Sequence, residues 1–201
     1  MLVAALTGAV AFPLRFAPLA QQPDPFVTGY ESACFVCHAA DPQSFAPPRY
    51  PPPKIAGQDV DYLLLALRAY RSGLRNHHVM SSQIVEVPES ALPQLVRRIS
   101  TTSAARLPKY RPVVLDPDAV ARGRKLAEAN CVSCHGPEAG DTVSGVPKLN
   151  GQYPRYLLST MSDYRLGVRR SEVMTEIVTP LSARDEADLA AYYASLVALR
   201  P

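Results

Sequence analysis

Apolar positions recur at three- and four-residue spacing in several stretches of the chain, and none alternates in the way of a strand, so an all-α fold is expected. The clearest stretch is "SARDEADLAAYYASLVAL". Leu189, Tyr193 and Leu196 share one face there, Ser182 is the natural N-cap, and acidic residues fill the first turns. "YLLLALRAYRSG" and "YLLSTMSDYRLG" each predict a helix stopped by a glycine. "DPDAVARGRKLAEANCVSCHG" predicts another, capped by Asp116 or Asp118. "SALPQLVRRIS" is weaker, because Pro93 fits only in a first turn, here one capped by Ser90. At the start, Leu2 to Phe12 is an apolar run of eleven residues, the length of an export-signal core and too short to span a bilayer. The usual basic segment before it is missing. Residues 1–20 therefore read as a signal peptide or as an N-terminal arm, either disordered or packed, or one that helps hold the protein at a membrane.

The helical pattern is duplicated. A shift of 94 residues lays "PKIAGQ" at Pro53–Gln58 on "PKLNGQ" at Pro147–Gln152, and "DYLLLALRAYRSGLRNHHVM" on "RYLLSTMSDYRLGVRRSEVM". Tyr62 meets Tyr156, Arg71 meets Arg165, Gly73 meets Gly167, Arg75 meets Arg169 and Met80 meets Met174 without a gap. Gly29 meets Gly123 at the same offset. Two similar domains are expected, at 21–103 and 116–201, with 104–115 as an extended, proline-containing linker.

Each repeat carries one copy of a short motif, "CFVCH" at Cys34–His38 and "CVSCH" at Cys131–His135, displaced by 97 residues. These use all four cysteines in the chain. Paired cysteines suit disulfides, zinc, thiol redox chemistry or haem. The adjacent histidine favours c-type haem attachment, in which two thiols form thioethers and the next residue ligates iron. The prolines, 20 of 201 residues, predict abundant irregular loops. A formal charge of +3, with Lys and Arg scattered, argues against nucleic-acid binding.

His38 and His135 supply one axial ligand each, and the second ligand decides the chemistry. An open iron could bind peroxide, oxygen or a sulfur substrate; a closed one passes electrons. Met80 and Met174 fall 42 and 39 residues after their histidines, each in a polar loop after a glycine-terminated helix. A methionine repeated in register with a haem motif is best read as an iron ligand, and its thioether raises the potential. Met161 has Leu67 as its repeat partner and reads as helix packing. His77 and His78 stand close enough to Met80 to compete with it, but Ser171 and Glu172 replace them in the second repeat. Pro53 and Pro147 follow the histidines by 15 and 12 residues. A rigid proline carbonyl could accept the free ring N–H of each histidine, although "PPRYPPPK" also reads as plain polyproline. Arg71, Arg75, Arg165 and Arg169 could face haem propionates, face the other lobe, or lie solvated at helix ends.

These tandem motifs, together with "PKLNGQ", "YRSGLRN" and "LSARDEADLAAYYASL", resemble the dihaem class I cytochromes c of the cytochrome c-four type, from Gln21 to the C-terminus. The resemblance implies two cytochrome c domains facing each other across a pseudo-two-fold axis, with two covalently attached haem c groups. The implied thioethers are on Cys34, Cys37, Cys131 and Cys134, and the axial pairs are His38 with Met80 and His135 with Met174. It also implies propionates near the lobe interface and an aromatic of the last helix crossing a glycine of the first. Tyr193 and Gly123 suit that crossing, while lobe one offers Gly29 and Ile99. Lobe one also has Ala39 where lobe two has Gly136.

The expected function is periplasmic electron transfer, with no small-molecule substrate. A quinol-oxidising complex or dehydrogenase would be the donor and a terminal oxidase the acceptor. The rival expectations are a haem subunit docked permanently in a dehydrogenase or oxidase complex, and a dihaem enzyme such as a peroxidase.

Overall fold

Several helices start or stop where the sequence supplies a cap. The computed structural model describes residues 25–44, 51–103, 107–108, 113–137 and 142–196; the N-terminal apolar run and most of the linker segment lie outside these. Among the described residues the chain forms helices α1 (Pro25–His38), α2 (Val60–Ser72), α3 (His78–Val85), α4 (Leu92–Thr101), α5 (Pro117–Asn130), α6 (Val132–His135), α7 (Pro154–Arg165), α8 (Glu172–Val178) and α9 (Ala183–Ser195). No strand forms among them, as the absence of alternation predicts. Asp116 caps α5, and Ser182 caps α9 in a reciprocal box with Asp185. Gly73 ends α2 in the left-handed conformation, and Gly167 adopts it just past α7. Pro93 does lie in the first turn of α4, but the cap is Ala91 rather than Ser90. Ser90 is part of a short 3-10 turn, Glu89–Ala91, that leads in.

The helices pack as two lobes. In lobe one, Leu92, Leu95, Val96 and Ile99 recur at helical spacing along α4 and are buried against Val27 of α1 and Leu63 of α2. In lobe two, Leu189, Ala190, Tyr192 and Tyr193 of α9 bury against Ala127 of α5 and Leu157 of α7. Met161 packs at the edge of this second core. Burial of each large apolar side chain contributes on the order of 1.5–3 kcal/mol. In both lobes the repeated "PK…GQ" loop hangs from the last helix. The Gly57 N–H donates to Ile99 O at 3.3 Å, and the Gly151 N–H donates to Tyr193 O at 2.8 Å.

The lobes differ where their first and last helices cross. At Gly123 a Cβ would lie 2.0 Å from Asp188 O and 2.8 Å from Tyr192 Cβ. The crossing partner of this glycine is thus the Asp188–Tyr192 turn, one residue before the expected Tyr193. Arg122 Nε and Nη2 clamp the contact by donating to Asp188 Oδ2 and Oδ1 at 2.7 and 2.8 Å. Arg122 holds the Asp188 carboxyl below the usual carboxylate range. Nothing lies within 4 Å of a Cβ built on Gly29, so α1 and α4 do not touch there. Glu31 and Arg98, paired at 2.6 Å, link them instead.

Chemical denaturation of the full chain should register the contrast. Gly123→Ala should destabilise lobe two by about 3 kcal/mol through overpacking against backbone. Gly29→Ala should be neutral or stabilise lobe one by up to about 1 kcal/mol through helix propensity. Equal effects at the two sites would contradict the asymmetric crossing.

Candidate functional site

The two motifs are presented differently. In lobe one, α1 runs unbroken through Cys34 and Cys37 to His38. In lobe two, α5 stops at Asn130, Cys131 turns, and the one-turn helix α6 carries Cys134 and His135. Gly136 leaves His135 at φ 75, a conformation Ala39 does not adopt; the Ala39 N–H instead continues the helix by donating to Phe35 O at 3.1 Å. None of the four sulfurs is in a disulfide. Burial, and then the nearby Glu31, push the Cys34 thiol up to about 11, and burial raises Cys131 as well. A redox-active Cys-x-x-Cys lowers a thiol pKa, the opposite of the direction at Cys34 and Cys131. Among the described residues no three His, Cys, Asp or Glu side chains converge as a metal cage.

Both histidines are held in the same way. His38 Nδ1 donates to Pro53 O at 2.7 Å, and His135 Nδ1 donates to Pro147 O at 2.8 Å. A carbonyl oxygen can only accept, so Nδ1 carries the proton and Nε2 keeps a lone pair for a metal. Burial lowers the basicity of both rings, only partly offset by the proline carbonyls, which keeps them neutral.

The methionines do not stand in loops. Each is the third residue of a short helix, Met80 in α3 and Met174 in α8. The N-cap explains why. Ser171 Oγ accepts the Met174 N–H at 3.3 Å, and His77 Nδ1 accepts the Met80 N–H at the same distance. His77 therefore shares a local role with Ser171, which composition alone does not suggest. After burial, His77 adds to the lowered basicity of His38. His78 is exposed and stacks on His77, with ring centroids 5.5 Å apart.

The four repeated arginines divide into two pairs. Arg71 Nη2 donates to Ile84 O at 2.8 Å and also to Val87 O, and its guanidinium pairs with Glu89. Arg165 does the same with Val178 O at 3.2 Å, Leu181 O at 3.5 Å and Glu186. These two fasten the end of each methionine helix within its own lobe. Arg75 and Arg169 lie between the lobes, where their backbones form an isolated antiparallel bridge. A residue pairing with its own repeat twin lies on the pseudo-two-fold axis. Arg75 Nη2 donates to Tyr62 OH at 3.2 Å, and Arg169 Nη2 donates to Tyr156 OH at 3.1 Å. Burial pushes Tyr62 up to about 12, so its hydroxyl stays protonated.

Sequence reasoning missed what "PK…GQ" does beyond the proline. The motif is an inter-lobe clasp. Lys54 N and O bond Gln152 Oε1 and Nε2 at 2.9 and 3.0 Å, while Lys148 N and O bond Gln58 Oε1 and Nε2 at 2.7 and 3.0 Å. Lys148 Nζ donates to Gly57 O at 3.2 Å, and Lys54 Nζ donates to Gly151 O. The signal was available, because a Lys and a Gln recur in register beside a buried loop.

The donor set fits a covalently held haem in each lobe: two thiols one helical turn apart, an imidazole with Nε2 available, and a thioether on a capped helix. Arg75 and Arg169 add to the fit. Among the described residues the carboxylate paired with these two guanidinium groups is Asp163, 3.5 Å from Arg169 Nε. Residual positive charge at this junction suits an anionic ligand edge.

The chain is similar to known proteins. A family model described as cytochrome c matches residues 120–196. The chain is 30% identical over 185 residues to cytochrome c4 of Azotobacter vinelandii, covering 84% of this chain and 86% of that one. It is 27% identical over 175 residues to a thiosulfate dehydrogenase electron acceptor of Stutzerimonas stutzeri, covering 82% of this chain and 79% of that one. The crystal structure of reduced recombinant cytochrome c4 from Pseudomonas stutzeri superposes with a TM-score of 0.68 at 26% identity, covering 86% of this chain and 97% of that one.

The capping role of His77 can be measured by amide exchange. His77→Ala should remove about 1 kcal/mol of local stability and speed exchange of the Met80 amide roughly fivefold. His77→Ser should restore slow exchange, since Ser171 caps the equivalent helix in lobe two. Unchanged Met80 exchange in the alanine variant would refute the cap.

Proposed function

The chain belongs to the cytochrome c4 family, and on that premise we propose that it carries two haem c groups and passes single electrons between exported redox proteins. That it is a c-type cytochrome with covalently bound haem, exchanging electrons with protein partners, follows from the family. The haem count, the ligands and the partners are this proposal. The observation that carries it is the matched pair of histidine–proline bonds, 2.7 and 2.8 Å, at the equivalent place in each lobe.

Haem c supplies a one-electron ferric/ferrous couple. In this reading Cys34 and Cys37 tether one group, and Cys131 and Cys134 the other. His38 and His135 present neutral Nε2 as the first axial donor. Met80 and Met174 present a thioether as the second, which favours the ferrous state and raises the potential. The stapled helices α3 and α8 hold that sulfur still, so little reorganises when charge changes. Lobe one, with its unbroken α1 and its looser α1–α4 contact, gives its group a different setting from lobe two, and the two potentials should differ.

The likeness to a thiosulfate dehydrogenase electron acceptor supports a dehydrogenase as donor; a quinol-oxidising complex as the other donor and a terminal oxidase as the acceptor belong to this proposal. Residues 1–20 would direct export to the periplasm or tie the protein to the membrane; among the described residues no helix is long and apolar enough to cross one.

An optical redox titration of the purified protein tests the reading. Two one-electron steps at positive potential are expected, with a weak ferric band at the red end of the spectrum from methionine–iron bonding. Met174→Ala should lower one potential and open that iron to carbon monoxide. Steady turnover of peroxide or thiosulfate by the protein alone would sink the carrier role.

A further inference from the structure

We propose that Gln152 and Gln58 are positioning residues for the axial imidazole of the opposite lobe, each acting through a single peptide unit. The inference rests on the reading of His38 and His135 as axial ligands.

The peptide between Pro53 and Lys54 faces two ways. Its carbonyl accepts from His38 Nδ1 at 2.7 Å, and its N–H donates to Gln152 Oε1 at 2.9 Å. The peptide between Pro147 and Lys148 repeats the arrangement, with His135 Nδ1 at 2.8 Å and Gln58 Oε1 at 2.7 Å. Each glutamine also donates Nε2 to the carbonyl of the same lysine, at 3.0 Å in both cases. That second bond fixes which end of the amide is oxygen. Gln58 and Gln152 are 3% and 5% exposed, so water does not compete for these bonds.

An amide whose N–H is engaged is a better acceptor at its oxygen, because the two ends polarise together. A better acceptor draws on the imidazole Nδ1–H and makes Nε2 a stronger donor to iron. Stronger donation favours the ferric state. The glutamine of one lobe therefore lowers the potential of the other lobe's haem. The effect crosses the interface in both directions. Gln152 Oε1 also accepts the Tyr153 N–H at 3.1 Å, but its bonds do not reach His135 or Pro147.

The test uses the complete, haem-loaded protein, with each potential read from resolved haem resonances during a redox titration. Gln152→Leu should raise the ferrous-to-ferric ratio of the lobe-one haem about two- to threefold at fixed poise and leave lobe two unchanged. Gln58→Leu should do the reverse. The His Nδ1–H resonance in ¹⁵N-labelled ferrous protein gives a second readout. That of His38 should move upfield in Gln152→Leu and downfield in Gln152→Glu, where a charged acceptor strengthens the bond, while that of His135 stays put. Ser144→Ala removes a different inter-lobe bond, to Asp61, and should shift neither haem. A shift confined to the mutated lobe's own haem, shared equally by both haems, or absent altogether would overturn the relay. Loss of the axial-imidazole signature in the unmutated protein would instead overturn the ligand assignment on which it rests.

Discussion

The structure depends on two proline–lysine peptide units, one per lobe, each held at both ends. Toward its own lobe the unit fixes a histidine tautomer through the proline carbonyl. Toward the other lobe it is gripped by a glutamine. These bonds are buried and neutral, and each contributes on the order of 1 kcal/mol against the large penalty of leaving a buried peptide group unpaired. Because the same four-atom unit serves histidine orientation and lobe docking, neither can drift without the other. A six-residue motif repeated in tandem thus builds an isologous interface inside one chain, in which each surface patch meets its own copy.

Around that axis the charges are arranged with economy. Two arginines that would repel are brought side by side at the Arg75–Arg169 bridge, and tyrosine rings and hydroxyls accept from them on either flank. Arg169 is 6% exposed, which is rare for a cation unless it is well bonded. The other repeated pair, Arg71 and Arg165, works differently. Each gathers two carbonyls and a glutamate at the far end of a methionine helix. One sequence signal, an arginine that recurs in both repeats, therefore covers two mechanical roles, one on each side of the glycine that follows the helix.

The lobes have diverged from this shared plan in their outer packing. Lobe two crosses its terminal helices at Gly123 with backbone contact and an Arg122–Asp188 clamp; lobe one leaves Gly29 open and relies on Glu31 and Arg98. Lobe one also carries α1 straight through its motif, where lobe two breaks at Cys131. Such differences leave the inner, clasped face symmetric and place the asymmetry around the Cys-x-x-Cys-His motif of each lobe. That is a physical basis for unequal behaviour of two sites made from one template.

The sequence by itself determined the helical class, the duplication, the helix ends at Gly73 and Ser182, and the haem-binding chemistry implied by Cys-x-x-Cys-His. These are local properties, set by periodicity, by capping side chains and by residues adjacent in the chain. It also pointed to the proline carbonyls, since a rigid acceptor recurs at nearly constant distance from each histidine. What it could not express was which partner a repeated polar residue would choose. Gln58 and Lys148 are 90 residues apart, and His77 substitutes for a serine only because both side chains reach the same N–H. The tertiary structure decided those pairings, because a hydrogen bond across an interface depends on two surfaces meeting, and no period along a chain encodes that meeting.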